Sequence, residues 1–155
     1  MSTIDTPQQA RPGAGIDPRG PQFAAGLTSL VLIAVLLLSP GTVATVLLAA
    51  QAVVFALGAA RGVQHTPYSW LFRTLVRPRL GAPDELEDPA PPRFAQAVGL
   101  GFTVVALAGY VAGVTLLGQV AIGFALVAAL LNAVFRFCLG CELYLLIKRF
   151  TPTGG

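Results

Sequence analysis

Four stretches of this chain run without a single Asp, Glu, Lys or Arg: residues 23–39, 42–60, 94–117 and 120–135. None carries the polar face that a helix on the surface of a water-soluble domain needs. At 1.5 Å rise per residue, about 20 apolar residues of helix cross a hydrocarbon core of about 30 Å. The pattern predicts transmembrane helices over about residues 22–39, 42–61, 93–117 and 119–147, the last carried past Arg136 by a further apolar run. The segments "SPGT" at 39–42 and "LGQ" at 117–119 read as tight turns. The expected fold class is therefore all-α: a polytopic membrane protein with four transmembrane helices in two antiparallel hairpins, a bundle occupying residues 22–150.

The pattern changes between the second and third spans. In "HTPYSWLFRTLVRPRLG", Thr66 is placed to cap a helix and Pro67 to occupy its first position. Leu71, Phe72, Leu75 and Val76 then alternate with Arg73 and Arg77 up to Pro78. That spacing predicts a short interfacial helix over 67–77, with Trp70 at headgroup level and the arginines near anionic lipid. The following "GAPDELEDPAPPR" is acidic and proline-rich, and residues 81–92 read as an extended, solvated connector without the spacing of a calcium loop. Residues 1–21, rich in Pro, Gly and polar side chains, read as a disordered cytoplasmic tail rather than a cleaved signal peptide.

Composition agrees with this class: the chain is 55% hydrophobic and 11% charged, with a mean hydropathy of +0.74, outside the balance of a soluble domain. Charge adds an orientation. All ten Lys and Arg residues lie in the N-terminal tail (Arg11, Arg19), in the central loop and its borders (Arg61, Arg73, Arg77, Arg79, Arg93), or near the end of the fourth span (Arg136, Lys148, Arg149). The positive-inside rule then places both termini and the central loop in the cytoplasm. The basic charge is explained by topology, and no nucleic-acid partner is expected. Small residues at four-residue spacing, Ala121, Ala125, Ala129 and Ala133 on the fourth span, Ala52, Ala56 and Ala60 on the second, and Gly109 with Gly113 on the third, read as packing ridges. Those ridges could serve the bundle itself, a homo-oligomer or a larger membrane complex. The membrane interior offers only Gln51 and Asn132 as strongly polar side chains, a thin pathway for an ion; Asn132 is expected to hydrogen-bond across helices.

The candidate chemistry is concentrated in "RFCLGCELY", residues 136–144, which holds both cysteines of the chain. Residues three apart on a helix share a face, at a Cβ separation of about 5–6 Å that a disulfide can bridge after small backbone adjustment. Gly140 supplies that freedom or allows something to approach closely. Helix lengths bring Arg61, His65, Arg93 and Gln96 to the same depth. Arg136, with Arg61 or His65, would stabilise a thiolate, whereas Glu142 opposes one unless it pairs with an arginine or accepts a proton. Three readings follow: cysteines that only pack, thiol redox or sulfur transfer, and a metal site. The last is short of ligands, since Cys138, Cys141 and His65 offer three soft donors where closed zinc sites use four, and neither metal nor cofactor is expected. In the reactive reading Cys138 is the nucleophile, Cys141 resolves the mixed disulfide, Glu142 moves protons or orients an arginine, and Arg136 supports the thiolate. With no second cysteine pair, the chain needs a soluble partner, a thioredoxin-like or rhodanese-like sulfurtransferase protein on the cytoplasmic side. The rival reading is a non-catalytic scaffold subunit.

Taken together, "WLFRTLVRPRLG", the acidic connector, "PPRFAQAVG" and "NAVFRFCLGCELY" resemble the bacterial integral-membrane family known as domain of unknown function 4395, over about residues 20–150. The most specific part is Asn132, Arg136, Cys138, Gly140, Cys141 and Glu142 with Arg93, Phe94 and Gln96. The resemblance implies a four-helix protein of the bacterial inner membrane and carries no established activity.

Overall fold

The architecture follows from the places where the backbone can no longer continue a helix. In the computed structural model, which describes residues 15–151, α1 (Arg19–Leu38) stops at an extended Ser39 immediately before Pro40. Next, α2 (Thr42–Arg61) stops at Gly62, whose φ of 101° only glycine adopts readily. Thr66 then caps α3 (Pro67–Leu71), its hydroxyl accepting the Ser69 N–H at 3.3 Å. A π turn over Phe72–Val76 and α4 (Arg77–Leu80) continue the same short rod. After the connector come α5 (Ala90–Val111), α6 (Thr115–Phe135) and α7 (Leu139–Phe150).

Four of these helices, α1, α2, α5 and α6, are long and apolar enough to cross a membrane. They pack in a ring in the order α1, α2, α5, α6. Gln22 of α1 donates to the Ala133 carbonyl of α6 at 2.9 Å, and Gln119 at the start of α6 donates to Ser39 Oγ at 3.1 Å. These two helices therefore run side by side in opposite directions. Large apolar side chains point away from the ring, with Leu37 79% and Val111 80% exposed. Such a surface is stable only with hydrocarbon around it.

One apolar cluster packs the half of the bundle nearest the short turns, while Ala52, Phe55, Val63 and Phe72 are buried toward the other end. Leu32 and Val35, Ala44 and Leu48, Ala106, and Ala121, Ile122 and Ala125 form one cluster, all near the end where residues 39–41 and 112–114 make the short turns. There α5 and α6 nearly touch: a Cβ on Gly109 would lie 2.9 Å from the Gly118 nitrogen. The alanine ridge of α6 works as expected only there, because Ala121 and Ala125 are buried while Ala129 borders an open cavity.

Several boundaries differ from those expected. The third span ends at Val111 rather than 117, because Gly113 takes a φ of 83° and Val114 N–H returns to the Gly109 carbonyl at 2.7 Å. Gly113 is thus a turn residue and not half of a packing pair. The interfacial helix extends to Leu80 instead of ending at Pro78, since the wide π turn restarts the ladder and leaves Pro78 in the first turn of α4. The fourth span ends at Phe135, and residues 139–150 form a separate helix.

The expected disordered tail is also shortened. Its residues 1–14 lie outside the described residues, but Ile16 pairs with Glu87 through two backbone hydrogen bonds of 2.9 Å. Beside this bridge, the Asp17 carboxylate meets the Arg19 guanidinium at 2.8 Å and that of Arg77 at 3.9 Å. Arg19 also donates to the Gly81 carbonyl at 2.9 Å. The connector is therefore tied to the start of α1. The hydrogen bond from Arg19 holds the Asp17 carboxyl below its ordinary pKa, so the tie contributes stability above the unfolded value and loses it as pH falls through the folded one. At neutral pH, Asp17→Asn should speed amide exchange at Ile16 and Glu87 about fivefold; unchanged exchange would show that the backbone bridge stands without the ion pair.

Candidate functional site

The cysteine motif owes its geometry to a break in the helix. Arg136 adopts a left-handed conformation (φ 58°, ψ 25°), and the N–H groups of Arg136 and Phe137 return to the carbonyls of Asn132 at 3.1 Å and Leu131 at 3.2 Å. Cys138 is extended and caps α7, its Sγ accepting the Cys141 N–H at 3.2 Å. The two cysteines are joined sulfur to sulfur, with their Cα atoms 5.2 Å apart. They are not successive residues on the face of one continuous helix, as the spacing suggests. They stand as the cap and third residue of a new helix, where free backbone N–H groups and the helix dipole favour negative charge at Cys138.

What holds this turn in place is contact with α5. A Cβ on Gly140 would lie 2.5 Å from Ala95 Cβ and 2.7 Å from Ala95 Cα. Gly140 is thus required for close approach. Farther along α7, the Tyr144 ring packs on Phe94 at 5.6 Å, and the Lys148 ammonium sits 5.7 Å from the Tyr144 ring centre. At 12 residues, α7 is about 18 Å long, too short to cross a bilayer.

Beneath the turn, the helices leave a partly open cavity of about 1070 Å³. Cys138, Cys141, Glu142 and Arg136 all border it, as do Asn132 and Gln96. Small residues on the facing helices, among them Ala25 and Ala129, leave the space. The connector residues 82–85 form part of its rim. Both cysteines are half-buried and Glu142 is exposed in the first turn of α7.

The other expected participants are distributed differently. The Arg136 side chain is oriented by Gln22, with Arg136 Nε donating to Gln22 Oε1 at 3.1 Å. Gln22 gives little sign of this role in the sequence, beyond being an amide near the start of an apolar span. Arg93 turns away from the cysteines and binds the carbonyls of Ala59 and Ala60, each at 2.7 Å, closing the end of α2. Arg61 and His65 are exposed and do not border the cavity. Among the described residues, no three of His, Cys, Asp and Glu come together as a metal-binding group. The ion pairs of the described residues centre on Asp17, and none engages Glu142.

The two polar residues of the spans also have different roles. The Tyr68 hydroxyl donates to Gln51 Oε1 at 2.6 Å, and Gln51 Nε2 donates to Thr28 Oγ1 at 3.4 Å. This chain ties α3 to α2 and α1, and burial raises the Tyr68 pKa. Asn132 does not form the expected cross-helix bond among the described residues; that link is made by Gln22 to the next residue's carbonyl.

Residues 16–149 match the family described as domain of unknown function 4395, and the chain belongs to that family. No curated protein and no solved structure matches it.

Proposed function

We propose that this membrane protein carries out thiol–disulfide exchange at the cytoplasmic face of the bacterial inner membrane, with a soluble thioredoxin-like or rhodanese-like protein as its partner. The observation that supports this most is the placement of Cys138. It is joined to Cys141 at a Cα separation of 5.2 Å, receives a backbone N–H, and opens a helix N-terminus, the environment in which cysteines become nucleophilic. The clustering of Lys and Arg at the termini and central loop supports the orientation, with the two short turns outside.

In the reduced protein the Cys138 thiolate attacks one sulfur of a partner disulfide and displaces the partner's other thiolate. Cys141, its proton passing to Glu142 or water, then attacks Cys138 Sγ of the mixed disulfide. The 138–141 bond closes and the partner's second thiolate leaves. Two electrons pass to the partner, and the two protons lost from Cys138 and Cys141 end on its thiols. The same steps run in reverse. Arg136, held by Gln22, borders the same cavity as the cysteine pair and contributes positive charge there.

The test is to trap thiols with acid in native membranes, alkylate, and read intact mass with and without reductant. A disulfide, a persulfide or a mixed disulfide with a partner is expected, and a persulfide would identify sulfur transfer. After reduction, Cys138 should alkylate about tenfold faster than Cys141 at pH 7. Two plain thiols that alkylate equally slowly would overturn the reading.

The close contact of Gly140 with Ala95 favours a second reading, in which the motif only packs α7 against the bundle and the protein is a scaffold subunit. On that reading, replacing both cysteines by serine leaves partner complexes and cellular function intact.

A further inference from the structure

The cavity raises a question that exchange with a soluble partner does not answer. Only a surface turn is needed to meet a soluble protein, yet the cysteine pair borders a space of about 1070 Å³ between membrane-crossing helices, at the upper end of the roughly 300–1,000 Å³ of ligand pockets. Ala125 of the buried cluster borders the space at one end, and buried Phe55 and Val63 line it farther along. We infer that this cavity seats the ring of a membrane quinone, which takes electrons from the Cys138–Cys141 dithiol; the inference rests on the thiol-exchange reading.

Three features of the lining select this chemistry. First, Asn132 and Gln96 border the cavity from α6 and α5, and among the described residues neither side-chain amide has a hydrogen-bond partner. A polar amide in a membrane span is costly without one, and ring carbonyls are acceptors of the right kind. Second, Phe55 and Phe102 contribute aromatic side chains to the lining, which suits a planar ring. Third, the reactive pair stands at the same cavity, and a dithiol and a quinone exchange the same numbers of electrons and protons. A lipid acyl chain could fill the volume but offers nothing to the two amides.

The step balances. One cysteine thiolate adds to a ring carbon of the quinone, forming a C–S bond. The second thiolate attacks that sulfur; the S–S bond forms, the C–S bond breaks, and its electron pair stays on the ring. The two protons given up by the thiols complete the quinol. Together with the exchange step, a soluble partner's dithiol becomes a disulfide while the membrane gains a quinol.

The experiment uses the full-length protein purified in mild detergent, reduced, and freed of reductant under anaerobic conditions. Two oxidants are added in separate runs: a fully substituted benzoquinone with a decyl tail, and glutathione disulfide. With the quinone, ultraviolet absorbance should report one quinol formed per intramolecular disulfide, the latter read by intact mass. Ala129→Phe, which fills the cavity, and Asn132→Leu, which removes an amide, should each lower the ratio of quinone to glutathione-disulfide oxidation rates about tenfold. Reporting a ratio keeps the result meaningful if a variant is partly misfolded. If glutathione disulfide oxidises the pair and the quinone does not, or the ratio is indifferent to both substitutions, the quinone inference falls and thiol exchange stands. If neither oxidant closes the pair, both fall. Organic extraction of protein purified without added quinone should yield a quinone; phospholipid alone would count against the inference.

Discussion

Replacing Gly140 with valine will lift α7 from α5 and carry the cysteine pair away from its cavity. A Cβ at this position meets Ala95 Cβ at 2.5 Å and Ala95 Cα at 2.7 Å, and the latter belongs to the backbone of a membrane-crossing helix that cannot yield locally. Overpacking of this kind costs about 1–3 kcal/mol. The contact of α7 with the bundle is made chiefly with α5, so a clash at Gly140 acts where α7 is held. Beyond Gly140, the Phe94–Tyr144 ring pair joins the same two helices. Hydrogen exchange should show loss of protection over residues 139–150 while α1, α2 and α5 keep theirs. Exchange of the cysteine pair with its partner should slow in parallel, because Cys138 would no longer be held as the cap of an ordered helix. Adding Ala95→Gly removes the nearer of the two clashing atoms and should restore part of both signals. Full protection in the single variant would mean that α7 is held by something other than this contact.

The second large effect belongs to the opposite end of the molecule. Gly109→Val should destabilise the whole bundle, because a Cβ there would lie 2.9 Å from Gly118 N, 3.0 Å from Val114 O and 3.4 Å from Gly118 Cα. All three are backbone atoms. No side chain can rotate away, so α5 and α6 must separate, and the buried cluster that includes Ala106, Ala121 and Ala125 opens with them. Close helix approach through small residues is a main source of association within a membrane, where the hydrophobic effect no longer drives helices together. The loss should reach about 3 kcal/mol, read as a lower unfolding midpoint in mixed detergent micelles. Gly123→Ala provides the contrast, since its Cβ would meet nothing within 4 Å. That change should be neutral or gain about 0.5–1 kcal/mol through helix propensity. Equal destabilisation by both would show that the loss does not come from the α5–α6 contact at Gly109.

These two glycines also mark how far the candidate site could be read in the sequence. The cysteine spacing drew attention to the right turn, and Gly140 between the two thiols left open either a helix break or a close approach. The break occurs instead at Arg136, a residue with a side chain in a left-handed conformation. Nothing in "NAVFRFCLG" announces it, because a non-glycine residue enters that region only when surrounding contacts make up the difference. Arg93 was legible as a charged residue at the right depth, but not as the group that closes α2 through Ala59 and Ala60. Gln22 carries no such signal, since one amide near the mouth of a span has many possible partners. Only the juxtaposition of α1 with α6 joins it to Ala133 and Arg136.

The sequence by itself determined that four helices of this chain are long and apolar enough to cross a membrane, and that a short amphipathic rod with Thr66 as its cap follows the second. Those properties are local: partition into hydrocarbon depends on composition over about 20 residues, and a cap on a few neighbours. Tertiary structure alone decided where the fourth span stops, that the cysteines open a separate helix, and that a cavity opens beside them. Each depends on how closely two distant backbones approach, at Gly109 with Gly118 and at Gly140 with Ala95. Spacing along a chain carries no distance between residues that are far apart in it, so only the packed helices could supply these answers.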